Sequence, residues 1–489
     1  MKIMFFSFEV YPLAKVGGLA DVVGSLPKFL KREGHEVSII MPMHKVVEKN
    51  IEKYNLKVEK ILDAFVPSFL STKQRAEVYK TNLPDSDVSV YLVKNDYYFS
   101  DDQIYSSPDS GEQSIFFCSA GLDTLKKLGE KVDIIHSHDW QTALIPVYLK
   151  ANYRDDTFFE GTASIFTIHN LGYQGIFNRE YLNFAGLPEY LFNIDALEFY
   201  GQLNFLKGGI VFSDMVTTVS PTYSEEIRSE EYGEKLQDVL RIRGDSLVGI
   251  LNGIDYDEYN PATDKRIKYN YDLNNLDGKF RNKTDLQKEL NLEENLKKPL
   301  LGFIGRLVDQ KGLDLLSEIT DYLMLYDVQF VLLGTGDPKY ERIFENLSKK
   351  YPSKVVAKIM FDVDLAQRIY ASCDIFLMPS KYEPCGLGQM YSLRYGTIPV
   401  VRYTGGLADT VFEYDPEKME GNGFGFRGYK ASEFLMACSR AIYYFKNEKE
   451  HWRRIIKNAM ETDLSWNRSA REYIKVYKEA LRRVRNRNY

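Results

Sequence analysis

Cysteine is scarce: four residues in 489, at Cys118, Cys373, Cys385 and Cys438, none in a C-x-x-C pair. That spacing argues against a zinc site and against a disulfide framework, and a reducing, cytoplasmic setting is expected. No run of about 18 apolar residues occurs, so no membrane-spanning helix is expected. Met1-Lys2 enters a strand-like stretch with no small-residue cleavage site, and no signal peptide is read there. An excess of positive charge is also missing. The net charge is −6, which gives no reason to expect nucleic acid as a partner. The one local basic run, Arg482, Arg483, Arg485 and Arg487, reads as a solvated helix end, where cations suit the dipole. Low-complexity segments and short tandem repeats are absent.

What is present is an ordinary globular composition, 44% hydrophobic and 27% charged, over a length that calls for two or three domains. Strand-like runs at 2–8, 36–41, 88–93, 132–135, 164–168 and 215–219 alternate with helical patterns in the first half. Runs at 300–304, 329–333, 355–360, 374–378 and 398–401 do the same in the second. Near-continuous apolar runs suit parallel strands covered on both faces, so an open, doubly wound α/β sheet is expected in each half. We place a first domain at 1–250, a second at 251–465 and a final helical segment at 466–489. Polar and glycine residues cluster after the strand-like runs. Ligands bind beyond the carboxyl ends of strands in such sheets, so one site in a cleft between two domains is expected.

The first such cluster is Lys15-Val16-Gly17-Gly18-Leu19, between the first strand-like run and apolar residues at helical spacing, Leu19 to Leu30. A glycine pair permits close approach to the backbone, and a helix start suits an anion. A tight turn with a solvated lysine is the plainer reading, and the loop fits neither G-x-G-x-x-G nor the P-loop. Pro27 falls inside the helical pattern and calls for a kink or a new turn near Ser25.

Arg306 and Lys311 sit five apart in one strand-end loop. Two cations there offset a leaving diphosphate, each contributing up to about 4 kcal/mol at close range and an effective dielectric near 20, which makes a metal unnecessary. His138-Asp139 and His169-Asn170 each end a strand-like run. Asp139 is suited to accepting from sugar hydroxyls, and His169 to stabilising positive charge or positioning a sugar, through its ring or its backbone carbonyl. His136 and His138 also fit a role as satisfied core histidines. Glu383, before Pro384, reads either as a helix-start carboxylate or as a grip on ligand hydroxyls, with Gly386 and its neighbours offering N–H groups to phosphate. In Asp362-Val363-Asp364 we read Asp364 as a helix N-cap rather than part of a metal site. Tyr97, Tyr98, Phe99 and Tyr105 suit stacking on sugars or ordinary packing.

Together these stretches resemble the bacterial glycogen synthase and plant starch synthase family over nearly the whole chain. The carriers are Lys15 to Gly24, His136 to Trp140, Thr167 to Gly175, Val219 to Tyr223, Leu251 to Asp255, the Arg306/Lys311 loop, Glu383 to Leu387 and Thr404 to Thr410. The resemblance implies the glycosyltransferase-B fold, two Rossmann-like domains facing across a cleft, with the last helix crossing back to the first. It implies glucose transfer from ADP-glucose, or UDP-glucose, to the non-reducing end of an α-1,4-glucan such as glycogen, with retained configuration and no cofactor or metal. It puts Lys15, Gly17, Gly18, Asn170, Asn252, Gly386, Leu387 and Gly388 at the donor, and Asp139, His169, Arg306, Lys311 and Glu383 at the chemistry. Glu9 and Tyr97 fall on the acceptor side. Front-face and double-displacement routes both fit these residues. A glucan phosphorylase on the same fold and a non-catalytic glucan binder are the alternatives. One departure stands out: where the family usually carries threonine, this chain has Gly388.

Overall fold

The computed structural model describes residues 1–105 and 109–487, and the Arg487 side chain lies outside the described residues. The chain forms two compact units, Met1–Gly253 together with the segment from Trp466 onward, and Ile254–Ser465. Residues 251–253 thus group with the first unit.

Among the described residues, twelve strands lie in the first unit: β1 (Lys2–Phe6), β2 (Glu36–Pro42), β3 (Glu59–Phe65), β4 (Ala76–Asn82), β5 (Ser89–Lys94), β6 (Ile134–His138), β7 (Ala163–Ile168), β8 (Ile176–Phe177), β9 (Glu198–Phe199), β10 (Gln202–Asn204), β11 (Met215–Thr218) and β12 (Leu247–Gly249). Nine of them make one sheet in the order β12-β11-β7-β6-β1-β2-β5-β4-β3, and β8, β10 and β9 make a small separate one. The large sheet is parallel from β12 to β5. Its far edge, β5-β4-β3, is antiparallel. The helix Gly18–Arg32 runs unbroken through Pro27, so neither a new turn nor a second helix begins at Ser25. It packs against the helix Trp466–Arg487, which also lies on β7. Tyr473 and Tyr477 of that last helix are fully buried.

The second unit carries β13 (Leu300–Ile304), β14 (Gln329–Leu333), β15 (Val355–Lys358), β16 (Ile375–Met378), β17 (Ile398–Arg402) and β18 (Phe424–Phe426). They form one parallel sheet in the order β15-β14-β13-β16-β17-β18. Two buried lysines of the helix Asp277–Glu289 tie down its amino-terminal edge. Lys279 Nζ donates to the carbonyls of Ala371, Cys373 and Tyr395, and burial pushes its pKa down to about 8. Lys283 Nζ pairs with Asp374 at 2.7 Å. Charges this deep persist only where every donor finds an acceptor. The opposite, carboxyl-terminal edge is thereby left to loops. Among the described residues no helix is long and apolar enough to cross a membrane.

Candidate active site

In the first unit the candidate residues gather where β1, β6 and β7 end. Glu9 is buried, and its Oε2 accepts the N–H groups of Val16 at 2.5 Å and Gly17 at 2.8 Å. Its Oε1 accepts the Tyr105 hydroxyl at 2.5 Å. Two backbone donors of the glycine loop are therefore already on a carboxylate. Lys15 is not a loose charge either: its Nζ meets Asp21 Oδ1 at 2.6 Å and lies over the Tyr11 ring. Burial pushes the Asp21 carboxyl up, and Lys15 opposes that. Gly17 is the extended N-cap of Gly18–Arg32, and a Cβ there would meet nothing within 4 Å. Nothing in the folded chain requires glycine at that position.

Asp139 ends β6 with φ 56°, a region that non-glycine residues rarely adopt. Its Oδ1 accepts the backbone N–H of His169, at the end of β7, at 2.7 Å. Burial pushes the Asp139 carboxyl up to about 7, with Glu9 adding to the rise and the N–H groups of His169 and Asn170 opposing it. His169 Nε2 lies 3.0 Å from His138 Nδ1. Burial holds His169 down to about 3, so this imidazole is neutral. Asn170 Oδ1 accepts from Gly172 N at 3.0 Å, leaving its amide nitrogen as a donor. His136 is a satisfied core residue, between the Tyr477 hydroxyl at 2.9 Å and Thr167 Oγ1 at 2.6 Å.

The polar-loop aromatics divide. Tyr98 and Phe99 are buried and belong to the core. Tyr97 is 61% exposed and stacks edge-on against Tyr98. Asn252 is buried, and among the described residues its Oδ1 has no hydrogen-bond partner.

In the second unit, Lys311 Nζ and Glu383 Oε2 lie 2.7 Å apart. The same Glu383 oxygen accepts the Ser380 hydroxyl at 2.9 Å. Gly312 explains the approach: at φ 69°, its hypothetical Cβ would stand 2.0 Å from Pro379 O, so only glycine lets the Lys311 turn reach the end of β16. The Gly405-Gly406 pair supports the other side, where added Cβ atoms would fall 2.0 Å from Glu383 O and 2.1 Å from Cys385 O. Gln389 Nε2 donates to Cys385 O at 3.1 Å and Gly386 O at 3.0 Å, bracing the loop from below. Arg306 is exposed, and among the described residues its guanidinium has no hydrogen-bond or ion-pair partner. The pair Lys311–Glu383 is neutral overall, so Arg306, Lys311 and Glu383 together carry one net positive charge, not the two expected from Arg306 and Lys311 alone.

Two sequence expectations change here. Glu383 does not start a helix, because the helix Gly388–Arg394 begins five residues later. Asp362 is the N-cap of the helix Val363–Ser372, accepting from Leu365 N at 2.8 Å, while Asp364 lies inside its first turn. Gly388 has a local explanation. A Cβ there would come within 3.1 Å of the Phe376 ring and 3.3 Å of the Tyr370 hydroxyl. A threonine would need those rings to shift by a few tenths of an ångström. Gly386, by contrast, needs its freedom, with φ 72° and Gln389 Oε1 at 2.5 Å from an added Cβ. Leu387 precedes the helix start and makes no polar side-chain contact.

Known proteins match this arrangement along its whole length. The starch synthase catalytic domain family matches residues 2–242, and glycosyl transferases group 1 match residues 285–462. A glycogen synthase of Pseudothermotoga lettingae is 61% identical over 483 residues, which cover 99% of this chain and 99% of the relative. This chain belongs to the glycogen and starch synthase family. A glycogen synthase of Thermotoga maritima is likewise 61% identical, over 99% of this chain and all of that one. The catalytic domain of starch synthase IV from Arabidopsis thaliana, solved bound to ADP and acarbose, superposes with a TM-score of 0.91 at 35% identity, over 98% of this chain and 99% of that one. Sucrose-phosphate synthase from Thermosynechococcus elongatus, at 18% identity and a TM-score of 0.61 over 98% of each chain, shares the fold. As a member of the glycogen and starch synthase family the chain is a glycosyltransferase of the glycosyltransferase-B fold, with two α/β domains.

Proposed function

We propose that this chain is a cytoplasmic glycogen synthase that transfers glucose from ADP-glucose to the non-reducing end of an α-1,4-glucan, with retention and without a metal. ADP in the related starch synthase supports the adenine donor over UDP-glucose. Four buried cysteines without a disulfide agree with a reducing setting. The observation that carries the reading is the Lys311–Glu383 pair, with Arg306, unpartnered among the described residues, in the same loop as Lys311.

As the bond between the sugar and the diphosphate breaks, charge grows on the departing oxygen. An ammonium already fixed by Glu383 answers that charge without reorganising, and its remaining N–H groups are free to donate. Arg306 adds a planar fork suited to phosphate. In the first unit Asp139 and the neutral His169, with Asn170, meet the sugar hydroxyls. Lys15, held by Asp21, and the Gly17-Gly18 loop, whose Gly17 N–H is held by Glu9, are assigned to the donor, while Glu9 and Tyr97 are assigned to the acceptor. Asn252 keeps a buried acceptor for the donor, and Gly386, Leu387 and Gly388 offer backbone N–H groups to its phosphates.

The test is nucleotide release from ADP-glucose and from UDP-glucose, each with and without glycogen, in EDTA. Glycogen-dependent ADP release, faster than UDP release and indifferent to EDTA, is expected. Loss of activity in EDTA, or preference for UDP-glucose, overturns the corresponding part.

A further inference from the structure

His138 has one hydrogen-bonding partner on its ring. Its Nδ1 faces His169 Nε2 at 3.0 Å, and its Nε2 is buried with none among the described residues. One proton is shared along that contact, and its owner matters. If His169 Nε2–H donated, neutral His138 would carry its own proton on Nε2, a buried N–H without an acceptor. If His138 Nδ1–H donates, the orphan at Nε2 is only a lone pair. Orphaned buried N–H groups are the rarer of the two in folded proteins. An imidazolium at His169 meets the same obstacle, because its Nε2–H would again need the His138 lone pair at Nδ1.

We propose that His138 is a positioning residue that donates its Nδ1–H to His169 Nε2 and so fixes His169 as a neutral imidazole whose one proton, on Nδ1, is free for a substrate oxygen. This deepens the function proposed above and rests on its placing of His169 at the transferred sugar. His169 then acts as a hydrogen-bond donor with a set direction and has no part in general acid or base transfer. Its backbone is fixed independently, by Asp139 Oδ1.

The surroundings keep the donor ring in place. His138 stacks on Phe5, with centroids 5.5 Å apart, and lies tilted against His136 at 4.2 Å. His136 is itself occupied by Thr167 and Tyr477, and Tyr473 flanks it at 5.6 Å. Thr142 Oγ1 accepts the His138 N–H at 2.6 Å and donates to its carbonyl at 2.8 Å. Besides burial, the titratable groups that act on the His138 ring are His136 and His169. Burial holds the ring of His138 well below the usual histidine range, in keeping with a neutral donor.

Two measurements test this. The first is the tautomer, read by imidazole nitrogen NMR on 15N-histidine-labelled enzyme, whose six histidines are assigned with His169→Asn and His138→Asn. A proton on His169 Nδ1 with Nε2 bare is expected, and a proton on His169 Nε2 overturns the proposal. The second is turnover of His138→Leu and His138→Asn. Leu should lower kcat about 100-fold while the KM for ADP-glucose moves little, and Asn, whose amide N–H can replace Nδ1–H, should recover most of the loss. Equal kcat in the two variants overturns it. If the Leu variant does not fold, the tautomer and the Asn variant decide. If wild-type enzyme transfers no glucose, the functional reading fails while the tautomer result still judges the contact.

Discussion

Lys311 and Glu383 lie 72 positions apart in the chain and meet at 2.7 Å. Glu383 is nearly buried, with 7% of its side chain exposed, and Lys311 retains 19%. Removing the lysine leaves a carboxylate whose one remaining side-chain partner among the described residues is Ser380. Lys311→Ala should therefore cost about 3 kcal/mol of stability and lower kcat about 100- to 1,000-fold. Arg306→Ala separates the two effects, since an exposed, unpartnered side chain should change stability by less than about 0.5 kcal/mol yet still depress turnover. Urea unfolding and kcat measured on the same samples check both, and wild-type turnover in Arg306→Ala would sink its assignment.

Gly17 and Gly405 make a second contrast. Alanine at Gly405 meets Glu383 O at 2.0 Å and must also adopt φ 43°, so a loss of stability of about 2 kcal/mol or more is expected. Alanine at Gly17 meets nothing. Its melting temperature should match wild type, and only the KM for ADP-glucose should rise. An unaltered KM would show that the donor does not approach there.

Glu9 gives a third. Both loop N–H groups point at one oxygen, Oε2. Glutamine keeps one oxygen, and alanine keeps none. Glu9→Gln should retain activity within about 10-fold, and Glu9→Ala should fall about 100-fold or more, as a displaced binding loop does. Equal damage in both would mean that the negative charge, not the hydrogen bonds, is what matters.

Asp139 makes a prediction about pH. Its folded carboxyl is raised to about 7 from an ordinary value of 3.8. The folded form thus holds a proton that the unfolded form releases between those two values. This group's contribution to stability is most favourable below about pH 4, declines as pH rises through 7, and is constant above that. Asp139→Asn removes the dependence, at a gain of a few kcal/mol above pH 7 by order of magnitude. Melting curves of both proteins from pH 4 to 9 test it, and parallel curves count against it.

The sheet cores and the site-bearing loops were legible because parallel strands announce themselves as apolar runs. Polar residues after such runs, as at Asp139, His169 and Arg306, fall just beyond the carboxyl ends of β6, β7 and β13. The antiparallel edge was not legible. β3 is largely exposed, and its charged residues Glu59, Lys60 and Asp63 erase the apolar signal. β8 and β9 are two residues each, too short for any periodicity. The partners of the site residues were hidden for a different reason. Glu9 under Gly17, Asp21 on Lys15 and Gly405 behind Glu383 are tertiary contacts, and spacing along the chain carries no trace of them. Asp362 and Asp364 flank Val363 symmetrically, and only backbone geometry distinguishes the cap from its neighbour.

The first unit contains residues from both ends of the polypeptide, and this has a consequence for synthesis. The ribosome delivers β1 to β12, then all of the second unit, and only afterwards the helix whose Tyr477 closes on His136 at 2.9 Å and whose Ser469 holds the Leu251 carbonyl at 2.5 Å. Domains fold as units once their chain is available. The second unit can therefore finish while the first still exposes the apolar face that Tyr473 and Tyr477 will cover. The half made first is the half completed last, and a nascent chain stopped at Ser465 would carry a finished second unit on an unfinished first.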